Sequence, residues 1–190
     1  MTKLTNKTTL KYFIMKKTFL ILTMLVFTII FSNQAIAQDF KGLDKSPMDV
    51  ASFPDNYRIS EKVIKIIYSR PQLKGRSLGK LAPLGKKWRT GANEATEITF
   101  YKDVTFAGTA VKAGTYTMYA IPGETTWTLV LSSQLNVWGV YFHKDENDVA
   151  KVSVPVKKTE KTVDVFSIEI DKDMTIHMGW GDIVLSIPVE

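Results

Sequence analysis

The sequence predicts an all-β fold: a single antiparallel β-sandwich-like domain with a long irregular segment at about residues 70–95, preceded by a cleaved signal peptide. Three observations lead there. From Glu61 onward, short runs rich in β-branched and aromatic residues alternate with Gly, Pro, Asn and Asp, the punctuation of strands and turns. No stretch sustains apolar residues at a 3.6-residue period over three turns, so little helix is expected. The runs number nine or ten at close spacing, which favours two packed layers over an open sheet.

Residues 1–37 have the layout of a secretory leader. Lys16 and Lys17 precede an apolar run from Thr18 to Phe31, and Ala35-Ile36-Ala37 places small residues where signal peptidase reads them. Cleavage is expected before Gln38, with Met15 as an alternative start. The run is shorter than the roughly 20 residues of a spanning helix, so no membrane span is expected in the mature form, which would be periplasmic or secreted. Residues 38–60, with Pro47 and Pro54, read as an extended lead-in, and 61–190 as the domain. Five of the 25 basic residues lie in the leader and none of the 19 acidic ones, so the remainder is nearly neutral. A nucleic-acid partner, which calls for a basic stripe on the folded domain, is therefore not expected. With no cysteine, disulfides and a lipid anchor at Gln38 are both excluded, and stability must come from burial: about 150 residues are enough for one domain that hides roughly 70% of its unfolded surface.

The strands follow in order. Val63 to Tyr68 is almost continuously apolar and suits a buried strand. Thr96 to Phe100 alternates, with Ile98 and Phe100 on one face. Val104–Phe106 and Thr115–Ile121 flank a stretch in which Gly108 and Gly114 mark turns. Beyond Gly123, Trp127, Leu129 and Leu131 share a face. Trp138–Phe142, Val149–Val156, Val163–Ile170, Met174–Met178 and Ile183–Val189 complete the series.

The irregular stretch is chemically distinctive. Three of the four arginines, Arg70, Arg76 and Arg89, lie between Tyr68 and Thr99 together with Trp88, Asn93 and Glu94. A guanidinium is a planar fork suited to carboxylate, phosphate or sugar oxygens. Trp88 offers a flat face, Asn93 a donor and an acceptor, and Glu94 an acid or base. The same residues also suit internal bracing, because a long irregular segment must satisfy its backbone and buried charges persist when paired.

Other motifs point to less. His143 and His177 are the only imidazoles, and without cysteine they fall short of a zinc ligand set, so no metal and no cofactor are expected. Asp145-Glu146-Asn147-Asp148 lacks the spacing of a calcium loop and reads as a solvated turn. Gly75-Arg76-Ser77-Leu78-Gly79 matches G-x-S-x-G, and Asp145 and His177 follow in hydrolase order, but the strand before it and the helix after it are missing. Gly79 to Lys87 has the wrong spacing for a phosphate loop.

At Ser46-Pro47-Met48-Asp49, Tyr68-Ser69-Arg70-Pro71, Lys74-Gly75-Arg76, Trp88 to Thr96, Ala113-Gly114-Thr115-Tyr116 and Trp138-Gly139, the chain resembles DUF2911, a family of exported bacterial proteins of unknown function. The likeness runs from about Leu43 to the C-terminus. It implies a single exported domain and brings no catalytic residues with it.

The sequence thus points to a domain of unknown function that binds a polar or anionic ligand, a small molecule or an envelope glycan, through residues 68–94, with Arg70, Arg76, Trp88, Arg89, Asn93 and Glu94 as the candidate contacts. One alternative is a hydrolase using Glu94 as general acid or base with Asp182 or Glu97 opposite. The other is a structural or interaction module without a small ligand.

Overall fold

The computed structural model describes residues 3–31 and 38–190, so the small residues of the expected cleavage site lie outside it. The chain divides into two compact units, Met1–Gly42 and Leu43–Glu190. In the first, Lys3–Phe31 forms helix α1. Among the described residues no helix is long and apolar enough to cross a membrane.

The second unit is an all-β, sandwich-like fold. Its strands are β1 (Met48–Phe53), β2 (Ile64–Ser69), β3 (Thr96–Phe100), β4 (Val104–Phe106), β5 (Thr109–Val111), β6 (Gly114–Ile121), β7 (Thr126–Ser132), β8 (Asp148–Ile170) and β9 (Ile176–Ile187). Seven of them form one curled antiparallel sheet in the order β1-β2-β3-β6-β7-β8-β9, and β4 and β5 pair as a separate hairpin. The alternation expected of β3 and β7 holds: Ile98 and Phe100, and Trp127, Leu129 and Leu131, all enter the main core.

Three departures from the sequence expectation have physical reasons. First, the lead-in is not merely extended. Its residues Met48–Phe53 pair in register with β2, from Met48 opposite Ser69 to Phe53 opposite Ile64, and form the sheet's edge. Prolines at 47 and 54 bracket this strand instead of forbidding it, as is tolerated at the ends of edge strands. Second, the four C-terminal runs merge into two long strands. Lys157 to Thr162 holds no Gly, Pro or Asn to force a turn, so β8 runs on through it, pairing first with β7 and then with β9. The Gly179-Trp180-Gly181-Asp182 stretch, which resembles a turn, stays within β9; β8 shifts register opposite it, and Gly181 takes φ +65°. Third, Trp138–Phe142 is a turn, not a strand.

The sheet curls until its first strands meet its last. Residues 71–73 continue from β2 and bond to the second half of β8: Leu73 N–H donates to Asp164 O and Phe166 N–H to Pro71 O, both at 2.9 Å. Tyr68 Oη reaches the same strand, donating to Ile168 O and accepting from Ile168 N–H. Burial lifts this phenol above its ordinary range.

An aromatic cluster fills the closure. Trp88 is buried, stacks on Trp180 at 5.1 Å with an 18° interplanar angle, and meets Trp127 and Phe166 edge to face at 6.0 and 5.1 Å. Tyr68 extends the cluster through Phe166. Backbone bonds between Trp88 and Ala120 fix its entry point. Three residues on, Gly91 passes so close to β2 that an added Cβ would lie 3.1 Å from Ser69 O and 3.2 Å from Thr96 Oγ1. Only glycine fits such an approach without displacing backbone.

Trp88→Ala is expected to destabilise the domain by about 3–5 kcal/mol, the usual cost of a large aromatic truncated in a packed core. Urea unfolding followed by far-UV circular dichroism checks it. A loss below about 1 kcal/mol would mean that Trp88 does not hold the segment down.

Candidate functional site

The six candidate side chains do not form one site. Arg70, at the end of β2, donates from Nε to Phe166 O at 3.1 Å, from Nη1 to Asp49 Oδ2 at 2.9 Å and from Nη2 to Ser167 Oγ at 2.8 Å. It clamps β1 to β8. Arg76 turns back on its own loop, donating to Leu73 O and Gln72 O. Trp88 is inside the core, which corrects its expected role as a stacking face: no ligand ring can reach it. These three residues brace the fold.

Arg89, Asn93 and Glu94 come together elsewhere. Their segment pairs with the turn after β7: Ala95 N–H donates to Val137 O, Gly139 N–H donates to Asn93 O, and Glu94 lies opposite Trp138 in an antiparallel bridge. Directly opposed residues project to the same side, so Glu94 and Trp138, both exposed, share a surface. Asn93 takes φ +60°, a left-handed turn position that asparagine tolerates, and its carbonyl also accepts from Arg89 Nη1 at 3.1 Å. The Arg89 guanidinium lies 5.1 Å from the centre of the Trp138 ring, and Tyr141 stacks on Trp138 at 5.8 Å and 14°. Trp138 is 50% exposed and Tyr141 69%. Beside them, Glu94, Glu97, Asn136 and Met48 border a concavity of about 220 Å³.

Of the two acid-base partners considered for Glu94, Glu97 borders the same concavity and Asp182 does not. Glu97 accepts the Asn136 backbone N–H at 2.8 Å, while Asp182 pairs with Lys158 at 2.6 Å on a different concavity that Leu78 and Trp127 help to line. Ser77 precedes the one-turn helix α2 (Leu78–Leu81) and follows a turn at Lys74 and Gly75, both at positive φ, so it is not a nucleophile elbow. His177 contacts Asp171 Oδ2 at 3.0 Å and Ser186 Oγ at 3.1 Å, whereas Asp145 lies with His143 and Lys87. The suggested triad is not assembled.

A second cluster escapes the sequence reading. β6 is buried on both faces at its centre: Met118 and Ala120 enter the main core, and Tyr119 on the opposite face forms a small cluster with Ala95 and Val130. The turn after β7 closes over it. His143 lies 4.7 Å from the Tyr119 ring, its Nε2 is 2.9 Å from Asp148 Oδ1 and 3.5 Å from Asp145 Oδ1, and Lys87 Nζ approaches Nδ1 at 3.3 Å. Burial, and then the Lys87 charge, hold the imidazole below its ordinary range. Burial, with Asp148 adding to it, raises Tyr119. The readable signal was the spacing His143, Asp145, Asp148 around a three-residue turn; Tyr119 and Lys87 are brought in only by the fold.

A family model described as a protein of unknown function, DUF2911, matches residues 46–189. The chain belongs to the DUF2911 family. Its match begins two residues before β1, so this DUF2911 chain carries the edge strand inside the family region. No curated protein and no solved structure matches the chain. The DUF2911 motif from Trp88 to Thr96 is largely accounted for by structure: a core tryptophan, a close-approach glycine, a left-handed asparagine, and Thr96, whose hydroxyl donates to Thr90 O at 2.7 Å.

A pH dependence follows from His143. The unfolded chain binds its proton near pH 6.5, while the folded state resists protonation until lower pH. Between those two values the unfolded state holds more protons, so stability falls as pH drops through about 6.5 and levels off below the folded pKa. In chelator-treated buffer, chemical unfolding between about pH 7 and pH 5 is expected to show this decline, and His143→Gln to flatten it. An equal slope in both proteins would remove His143 as the cause.

Proposed function

We propose that the protein is an exported binding module that receives a polar, ring-bearing ligand on the face made by Arg89, Glu94, Trp138 and Tyr141, with cell-envelope glycans as the first class to test. The observation that carries this reading is the exposed Trp138–Tyr141 stack with a guanidinium against it. Large aromatic faces left in water are costly, and a sugar ring covers them with its C–H face while its hydroxyls need polar partners at the rim. Glu94 supplies an acceptor and Arg89 a donor fork. The arginine already on Trp138 contributes about 0.5–1 kcal/mol at an exposed site and limits the ring's rotamers, which lowers the ordering cost of binding. Export rests on the leader, whose basic residues, apolar run and small-residue end have the form of a secretory signal. Glu94 is assigned here as a hydrogen-bond acceptor: Asp182 is paired with Lys158 on a different concavity, and Glu97 beside it already accepts the Asn136 N–H.

Calorimetry against solubilised envelope glycans is expected to show binding that Trp138→Ala and Tyr141→Ala each weaken by about 2- to 10-fold, the equivalent of one aromatic contact. Both residues are exposed, so thermal unfolding should change little. Binding that survives the double substitution intact, or no binding by the native protein to any fraction, would overturn the reading.

A further inference from the structure

We propose that His143, Asp145 and Asp148 form a binding site for a divalent first-row transition-metal cation such as Zn2+ or Mn2+. One donor atom from each of the three lies within 4.8 Å of the others, closing around the turn Asp145–Asn147. His143 Nε2 lies 2.9 Å from Asp148 Oδ1 and 3.5 Å from Asp145 Oδ1, separations that suit neighbouring ligands of an ion with bonds near 2.0–2.2 Å.

Proximity alone would make this an acidic turn. What distinguishes it is a buried nitrogen and a buried oxygen that approach each other without an aligned hydrogen bond. The His143 and Asp148 side chains are only 2% and 6% exposed, yet His143 Nε2 and Asp148 Oδ1, 2.9 Å apart, make no aligned hydrogen bond. The outer oxygen, Asp148 Oδ2, is paired with Lys151 Nζ at 2.9 Å. Polar atoms hidden from water are nearly always satisfied, and a buried nitrogen and oxygen this close but poorly aligned for a hydrogen bond are placed as two ligands of one cation would be. The Tyr119 hydroxyl, also unpartnered, belongs to the side chain that floors the cluster.

The donor set selects the class of ion. One imidazole and two carboxylates suit Zn2+, Mn2+ or Fe2+, whereas Ca2+ requires six to eight oxygens and Mg2+ prefers waters and carboxylates without nitrogen. The neighbouring ammonium groups have separate roles. Lys87 Nζ is 2.9 Å from the same Asp145 oxygen that faces His143, so it competes with the metal and must leave when the ion enters. Its flexible four-carbon stem permits this. Lys151, half-exposed, holds the outer oxygen of Asp148 and can remain as an outer partner that orients the ligand. Asp145, exposed, is the side from which an ion enters.

The test is calorimetric titration of the purified, chelator-stripped protein with Zn2+, Mn2+ and Ca2+, with Co2+ absorption to report nitrogen and oxygen ligation. One equivalent of Zn2+ or Mn2+ is expected to bind, well ahead of Ca2+. His143→Gln and Asp148→Asn are expected to weaken it by at least about tenfold, since losing even an outer partner costs that much. Asp145→Asn, at an exposed position, gives the same weakening with the fold intact, and Lys87→Met tightens binding by removing the competitor. Binding that none of the three ligand substitutions alters, a preference for Ca2+, or weaker binding in Lys87→Met each overturns the proposal. So does the absence of stoichiometric binding by the native protein.

Discussion

The closure of the curled sheet by Trp88 and its aromatic neighbours is the contact on which the remaining structure depends. A seven-stranded antiparallel sheet that bends back on itself has to fill the wedge between its first and last strands, and here aromatic rings fill it from three directions: Trp88 from the irregular segment, Trp127 from β7, and Phe166 and Trp180 from β8 and β9. Each aromatic pair adds about 0.5–1.5 kcal/mol beyond the area it buries. The cluster does more than stabilise. It anchors residues 70–95, which have almost no regular structure of their own, at the point where both neighbouring surfaces begin. Arg70 completes the closure by joining β1 to β8 across the same seam.

From that anchor the chain runs through Gly91 and the left-handed Asn93 to pair with the turn after β7. The turn is held at two places. At Trp138 it bonds to residues 93–95, and at Asp148 it enters β8. Between these points it covers the outer face of β6 and β7, where Tyr119 and Val130 would otherwise be wet. The aromatic pair of the proposed binding face and the imidazole of the proposed metal site both belong to this one cover. Loops carried by rigid sheets are where function concentrates, because they tolerate chemistry that a strand cannot.

Much of the fold was legible because strands alternate and turns have a chemistry of their own. Ile98, Phe100, Trp127, Leu129 and Leu131 showed their buried face in a period of two. The edge strand β1 was not legible, since MDVASF between two prolines has no distinct alternation and is defined by its partner β2. Trp88 could not be placed either: in an irregular segment no period says which side faces inward, and a tryptophan among arginines resembles a recognition surface until its neighbours are known. The candidate site divided along the same line. Arg89, Asn93 and Glu94 stand together because a backbone bridge to Trp138 carries them there, whereas Arg70 and Arg76 were drawn off by partners nearly a hundred residues away and by their own turn.

The difference between the two groups of arginines shows why composition alone overstates a basic site. A guanidinium has five donors, and in a loop whose carbonyls lack strand partners those donors are first used on the backbone. Arg70 and Arg76 each bind carbonyl oxygens, which leaves them structural whatever their charge. Arg89 is different in geometry and not in kind: one nitrogen meets the Asn93 carbonyl while the guanidinium carbon lies over the Trp138 ring, 5.1 Å from its centre. A lysine at that position could make the hydrogen bond or rest on the ring, but its single ammonium could not hold both at once. The guanidinium therefore links the anchored segment to the turn after β7 at Trp138, the tryptophan that this fold leaves exposed while Trp88, Trp127 and Trp180 pack in the core.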